Sequence, residues 1–250
     1  MSAALSTSGL NKAFGSLVVA GDIAFSLPKG ERYALIGPNG AGKTTLINLL
    51  TGMLKPDGGQ ILLDGQDITA EPPAARVERG LVRTFQINSL FPKLSALDAV
   101  TLAVCERRRE SGVWWRGLSR YGEAIEEAHT ILASLRLDHV AQTITKELAY
   151  GQQRLLEIAL ALATKPKVLL LDEPAAGVPK DESGDLFAAI DGLSRDLSIL
   201  FIEHDMNIVF RFATRIIVMV GGRILLEGTP AEIAADPRVR EVYLGTARHG

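Results

Sequence analysis

The chain has 250 residues, of which 47% are hydrophobic and 22% charged, enough for one sizeable core with a small satellite and too apolar for a disordered chain. A net charge of −2 leaves no global field to draw it onto nucleic acid or anionic lipid. The single cysteine, Cys105, excludes an internal disulfide, fits a reducing compartment and falls in an apolar helical pattern that predicts burial.

From the start of the chain, Met1 to Asn11 shows neither a basic opening nor a long apolar run, so no signal peptide is expected. Leu17–Leu27 reads as a strand entering a turn at Pro28–Gly30, Arg32–Ile36 as a buried strand, and Lys43–Leu50 as the helix after it. Gln60–Leu63 and Gln66–Ile68 flank Asp64-Gly65, a good hairpin turn pair. From about 95 to 141 the pattern becomes helical and charged, which predicts a helical subdomain inserted into an α/β core formed by residues 1–94 and 142–250. Helix Gln153–Ala163, strand Val168–Leu171, helix Asp181–Arg195 and strand Ser198–Ile202 follow. Ile216–Val220 and Arg223–Leu226 around Gly221-Gly222 form a second hairpin candidate. The apolar runs Leu155–Ala163 and Ile216–Val220 fall well short of the roughly 20 residues a membrane-spanning helix needs. A chain of this kind would serve a membrane only through a partner.

Gly37-Pro38-Asn39-Gly40-Ala41-Gly42-Lys43-Thr44, followed by Thr45, fits G-x-x-x-x-G-K-[ST] between an apolar strand and a helix. Glycines let backbone N–H groups turn around phosphate oxygens, and the helix start adds partial positive charge. Lys43 would reach the β- and γ-phosphates of ATP, and the Thr44 hydroxyl would ligate Mg²⁺. Further on, Val168-Leu169-Leu170-Leu171 ends in Asp172-Glu173. Acids at the carboxyl end of a buried strand stand where α/β ligands bind. Asp172 would hold Mg²⁺, and Glu173 would act as general base toward the attacking water.

Leu148-Ala149-Tyr150-Gly151-Gln152-Gln153-Arg154 resembles the LSGGQ signature of ABC ATPases, a glycine-bearing loop opening onto a helix. The resemblance covers about Leu5 to Gly245 and implies a P-loop NTPase core of ABC type, with an inserted helical subdomain and an antiparallel β subdomain. It places Ala149, Tyr150, Gly151 and Gln152 against ATP held by a second subunit, either another copy or a paralogue. Gln86, in Arg83-Thr84-Phe85-Gln86, matches the Q-loop glutamine that touches Mg²⁺ and water and couples to the permease. His204, in Phe201-Ile202-Glu203-His204-Asp205, matches the switch histidine on the γ-phosphate, and Phe14 sits where the family stacks an aromatic on adenine.

The signature's Leu-Ala-Tyr-Gly-Gln-Gln-Arg form, Pro174-Ala175-Ala176-Gly177 and Glu241-Val242-Tyr243-Leu244-Gly245 are similar to the ATPases of branched-chain amino acid importers, the LivG-like subunits. That resemblance implies an ATP-hydrolysing subunit on the cytoplasmic face of the inner membrane, docked on transmembrane permeases and served indirectly by a solute-binding protein. Ala149 lacks the serine hydroxyl of the commoner signature, and Gly177-Val178-Pro179 is one residue shorter than the usual D-loop, without its acid or amide. Arg107-Arg108-Arg109 and Val113-Trp114-Trp115-Arg116 read either as a solvated loop or as a contact with permease or membrane surface. The alternatives are an ABC ATPase for urea, amides or other solutes, a lipid-export system, a non-transport ABC protein, or an unrelated P-loop kinase. The signature opposes the last, and the absence of a second motif set or sustained heptads opposes the non-transport reading.

Overall fold

A computed structural model describes residues 2–84, 91–109 and 121–245. The backbone divides into two compact units, one formed by Met1–Arg83, Lys167–Pro174 and Arg195–Gly250, the other by Thr84–Pro166 and Ala175–Ser194.

The first unit carries two sheets. Strands β1 (Ala3–Phe14), β2 (Leu17–Pro28), β4 (Gly58–Leu63) and β5 (Gln66–Asp67) form an antiparallel sheet in the order β2-β1-β4-β5. The second, in the order β10-β9-β3-β8-β7-β6, contains β3 (Arg32–Ile36), β6 (Leu81–Arg83), β7 (Val168–Asp172), β8 (Ser198–Ile202), β9 (Arg215–Val220) and β10 (Arg223–Gly228). All its pairings are parallel except β9 with β10. Every residue of β3 and β8 is buried, which is why both read as continuous apolar runs rather than alternating ones.

Helix α1 (Lys43–Leu50) joins the sheets: its Leu46, Ile47, Leu49 and Leu50 share one apolar cluster with Leu5, Leu10, Ile23 and Ile61 of the first sheet and Leu35, Leu170 and Ile217 of the second. Its carboxyl end is closed by Arg76, a fully buried arginine on the short helix α2 (Pro73–Glu78). The Arg76 guanidinium donates to the carbonyls of Leu49 (2.8 Å), Leu50 (2.6 Å), Thr69 (2.9 Å) and Glu71 (2.9 Å). Leu49 and Leu50 are in the last turn of α1, whose carbonyls have no partner within the helix, so a forked cation satisfies them and complements the helix dipole. Short helices α7 (Met206–Phe212), α8 (Pro230–Ala235) and α9 (Pro237–Gly245) complete the unit.

Strand β1 was not expected from the sequence. Its Ser6, Thr7, Ser8, Gly9 and Asn11 break any clean alternation, and its register against β2 shifts at several bulges. What holds it is pairing on both sides, to β2 and to β4.

The second unit is helical. It contains α3 (Ala96–Arg107), α4 (Gly122–Ser134), α5 (Tyr150–Leu162) and α6 (Lys180–Asp191), so it takes in more chain than the stretch 95–141. Ser95 caps α3 by accepting from the Asp98 N–H. Val100, Val104, Ala124, Ala128 and Leu132 are buried where α3 meets α4, and Cys105 is buried as a free thiol. Arg107 forks onto Glu127 (2.7 Å to each oxygen), while Arg108 pairs with Glu123 (3.0 Å) and Glu127 (3.1 Å). The first two arginines of the basic triplet therefore brace α3 against α4; Val113, Trp114, Trp115 and Arg116 lie outside the described residues.

Candidate nucleotide site

Residues 37–42 leave the end of β3 and turn into α1, with Gly42 at the cap position. Gly42 has φ 99°, and a Cβ there would stand 2.6 Å from the Val19 carbonyl oxygen of β2, so no side chain fits. Asn39, Gly40 and Thr44 are exposed along the rim, Thr45 is half-buried, and Ala41 is buried beneath.

Lys43 is buried, and its ammonium donates to the loop's own carbonyls, Gly37 at 2.6 Å and Pro38 at 3.1 Å. Burial pushes Lys43 below the ordinary lysine value, while the Glu173 and Asp172 carboxylates pull it back up. The loop thus folds around a desolvated cation, which an anion of the right size would compensate.

Asp172 ends β7, and Glu173 follows in a left-handed backbone conformation, φ 50°. For a residue with a Cβ that conformation costs roughly 1–2 kcal/mol, and it is held by the Glu173 N–H donating to the Ile202 carbonyl (3.1 Å). Oε1 of Glu173 lies 2.7 Å from Nε2 of His204, which stands between β8 and α7. Asp205 caps α7 by accepting from the Asn207 N–H (2.8 Å), fixing the turn that presents His204. Both Glu173 and His204 keep an exposed face, so the pair is within reach of a substrate.

Asp172, expected to ligate Mg²⁺, is paired with Arg83 at 2.5 Å, and Arg83 also donates to Asn48 Oδ1 of α1 (2.8 Å). Both were missed at the sequence level. Arg83 stands three residues before Gln86 in the quoted motif, but nothing in its spacing showed which carboxylate it would meet. Among the described residues no three His, Cys, Asp or Glu side chains gather as a metal cage. The donor set of one carboxylate and the Thr44 hydroxyl still fits Mg²⁺, which commonly takes few protein oxygens and completes its shell with phosphate and water. The guanidinium on Asp172 marks that carboxylate as a place where a cation is stable.

Phe14 ends β1, opposite Leu17, and is exposed, as are Leu17 and Val18. An apolar tip open to water has surface to offer a flat ring, and it excludes Phe14 as a core aromatic. Gln86 lies outside the described residues.

In the helical unit, α5 begins at Tyr150 with Ala149 as its cap residue, so Gly151 and Gln152 belong to the first helical turn rather than to a loop before it. Gln152 reaches back to accept from the Ala149 N–H (3.0 Å), but Ala149 has no oxygen to cap the first turn in return. The first-turn N–H groups therefore receive no side-chain acceptor from the cap residue. Gly151 packs near Glu182, whose Oε2 would lie 3.2 Å from an added Cβ.

The sequence pattern of the ABC transporter family matches residues 20–176, more than half of the chain. This chain belongs to the ABC transporter ATP-binding family. A second pattern, that of the branched-chain amino acid ATP-binding cassette transporter, matches residues 223–249. Among curated ABC proteins it is similar to the high-affinity branched-chain amino acid transport ATP-binding protein BraF of Pseudomonas aeruginosa, 39% identical over 97% of this chain and 98% of that one. LivG of Escherichia coli K12, named for the same transport, shows the same identity and coverage. Among solved ABC structures it resembles the ADP conformation of an ATP-binding cassette, with TM-score 0.85 and 34% identity over 98% of this chain and 99% of that one. A nucleotide-free cassette gives TM-score 0.80 at 33% identity. The α/β nucleotide-binding fold of ABC ATPases, expected from the motifs, is thus the fold of this chain, and among the described residues no helix is long and apolar enough to cross a membrane.

Proposed function

We propose that this chain is the ATP-binding and ATP-hydrolysing subunit of an importer for branched-chain amino acids, acting at the cytoplasmic face of the inner membrane. The reading is carried by the Glu173–His204 pair, set 2.7 Å apart at the end of the acidic strand that also holds Asp172. Its solute class is supported by the full-length similarity to BraF and LivG.

The loop 37–44 would grip the phosphates, with Lys43 exchanging its Gly37 and Pro38 carbonyls for phosphate oxygens. Thr44 and Asp172 would hold Mg²⁺, which when bound neutralises charge on the β- and γ-phosphates. Glu173 would take the proton of the attacking water, and His204 would orient that carboxylate and contact the γ-phosphate. The exposed Phe14 would carry the adenine. The uncapped first turn of α5, from Ala149 to Gln152, would face the γ-phosphate of a second subunit, a copy or a paralogue, with Gln86 and the helical unit serving the permease.

The test is uptake in cells from which this chain has been deleted. Import of labelled leucine, isoleucine and valine should be lost, restored by the wild-type chain and not by Glu173→Gln, with urea and short-amide uptake unchanged. Loss of urea or amide uptake instead would move the solute assignment to those compounds.

A further inference from the structure

Tyr150 was expected among the residues facing nucleotide, yet its hydroxyl is engaged within its own unit. The phenol donates to the Ala176 carbonyl (3.2 Å) and accepts from Arg154 Nη2 (2.5 Å), one turn further along α5. Arg154 is buried, holds Glu157 through Nη1 (2.9 and 3.2 Å) and lies over the Tyr150 ring, 5.0 Å from its centroid. The ring is therefore fixed on two sides.

Gly177, with φ 79°, lies close against the ring. A Cβ there would come 3.0 Å from the Tyr150 oxygen and 3.1 Å from Cε1, so the ring occupies the space a side chain would need. The segment Ala175-Ala176-Gly177-Val178 has no polar side chain, and the Val178 N–H donating to the Ala175 carbonyl (3.0 Å) closes it as a turn. Side-chain anchoring of that turn has to come from elsewhere, and Tyr150 supplies it. Only Pro174, whose φ is fixed by its ring, separates Glu173 from the turn.

We propose that Tyr150 is a positioning residue for hydrolysis: its hydroxyl, bonded to the Ala176 carbonyl and braced by Arg154, ties the turn that follows Glu173 to the first turn of α5. Displacement of the α5 start then reaches the backbone of the catalytic carboxylate through three residues of chain. The role rests on the reading of Glu173 as general base.

The test compares Tyr150→Phe with the wild-type full chain by hydrogen exchange and by steady-state ATP hydrolysis. Tyr150→Phe loses both the bond to the Ala176 carbonyl and the one from Arg154; the neutral bond that ties the turn removes about 0.5–1.5 kcal/mol, so exchange of the Val178 amide should rise by about two- to tenfold. Amides of Val168–Asp172 and of the α5 interior should be unchanged. kcat should fall by about two- to tenfold with KM for ATP unmoved, the signature of a contact that acts on the chemical step rather than on binding. Arg154→Lys, which removes the guanidinium brace on the phenol but keeps a cation beside Glu157, should give a weaker form of the same pattern, and it replaces Tyr150→Phe if that variant does not fold. Unchanged Val178 exchange would overturn the proposal. Raised exchange with wild-type kcat, or a rise in KM at constant kcat, would do so as well, the latter assigning Tyr150 to nucleotide contact. A wild-type chain that hydrolyses no ATP would remove the role together with the reading of Glu173, whereas the exchange result would still report the tie itself.

Discussion

The Arg83 guanidinium lies 2.5 Å from the Asp172 carboxylate, so the acid best placed to hold Mg²⁺ already has a fixed cation beside it. With Mg²⁺ on Asp172, as proposed above, Arg83 and the metal would compete for the same negative charge. Both side chains are largely shielded, 14% and 18% exposed, so their attraction is not fully screened. Arg83→Gln should lower the Mg²⁺ concentration that half-saturates ATP binding by about three- to tenfold, and should lower stability by about 1–3 kcal/mol by leaving Asp172 unpaired. Mg²⁺ titration of a fluorescent ATP analogue, with thermal melts of the free chain, checks both; an unchanged Mg²⁺ midpoint would refute the competition.

His204→Ala removes the partner of Glu173. A hydrogen bond to a charged group is worth about 1.5–3 kcal/mol, so kcat should drop by about ten- to 150-fold while ATP binding changes little. Single-turnover hydrolysis compared with equilibrium ATP binding separates the two effects, and a loss confined to binding would assign His204 to phosphate contact alone.

Asp64 and Gly65 make the turn between β4 and β5, both in the left-handed region at φ 50° and 77°. Hydrogen bonds from Lys167 and Lys29 hold the Asp64 carboxyl below its ordinary value. A lowered folded-state value means stabilisation that is present above pH 4 and lost as pH falls through the folded value. Asn tolerates the turn equally well, so Asp64→Asn isolates the charge. Because the two lysines are more than half exposed, the deficit should be only about 0.5–1 kcal/mol at pH 7, roughly 1–4 °C in Tm, and it should shrink as the pH is taken below 4. Melts of both chains across that range measure it.

Arg76→Ala should be far more damaging. It takes a donor from the carbonyls of Leu49, Leu50, Thr69 and Glu71 and leaves a void where a fully buried side chain stood. The expected loss is about 3–5 kcal/mol, roughly 6–20 °C in Tm. Arg76→Lys keeps the charge but cannot fork to four acceptors, and it should recover less than half of the loss. Calorimetry of the three chains gives the series.

Much of the site could be read from the sequence because its parts are local. The phosphate loop, α1 and the Asp172-Glu173 strand end each lie within one short stretch whose apolar run, glycines or acids mark it directly. The Asp64-Gly65 and Gly221-Gly222 turns were visible for the same reason. Strand β1 was not, because its two pairings reach residues 17–28 and 58–63 and its own polar positions sit at bulges. Arg83 and Arg76 were invisible as keystones, since an arginine's spacing says nothing about which distant acceptors its fork will find. Tyr150 was quoted for its motif, but the direction of its hydroxyl is a fact of side-chain geometry that no spacing encodes.

Strand β1 is an inner strand, with β2 on one side and β4 on the other, although it comes first in the chain. A strand made before either neighbour is therefore the one on which both later strands must zip up. A polypeptide begun at a downstream start codon, without residues 3–14, would leave β2 and β4 each with a newly unpaired margin. Such margins recruit other chains, so that shortened product would precipitate rather than persist as a weakened ATPase.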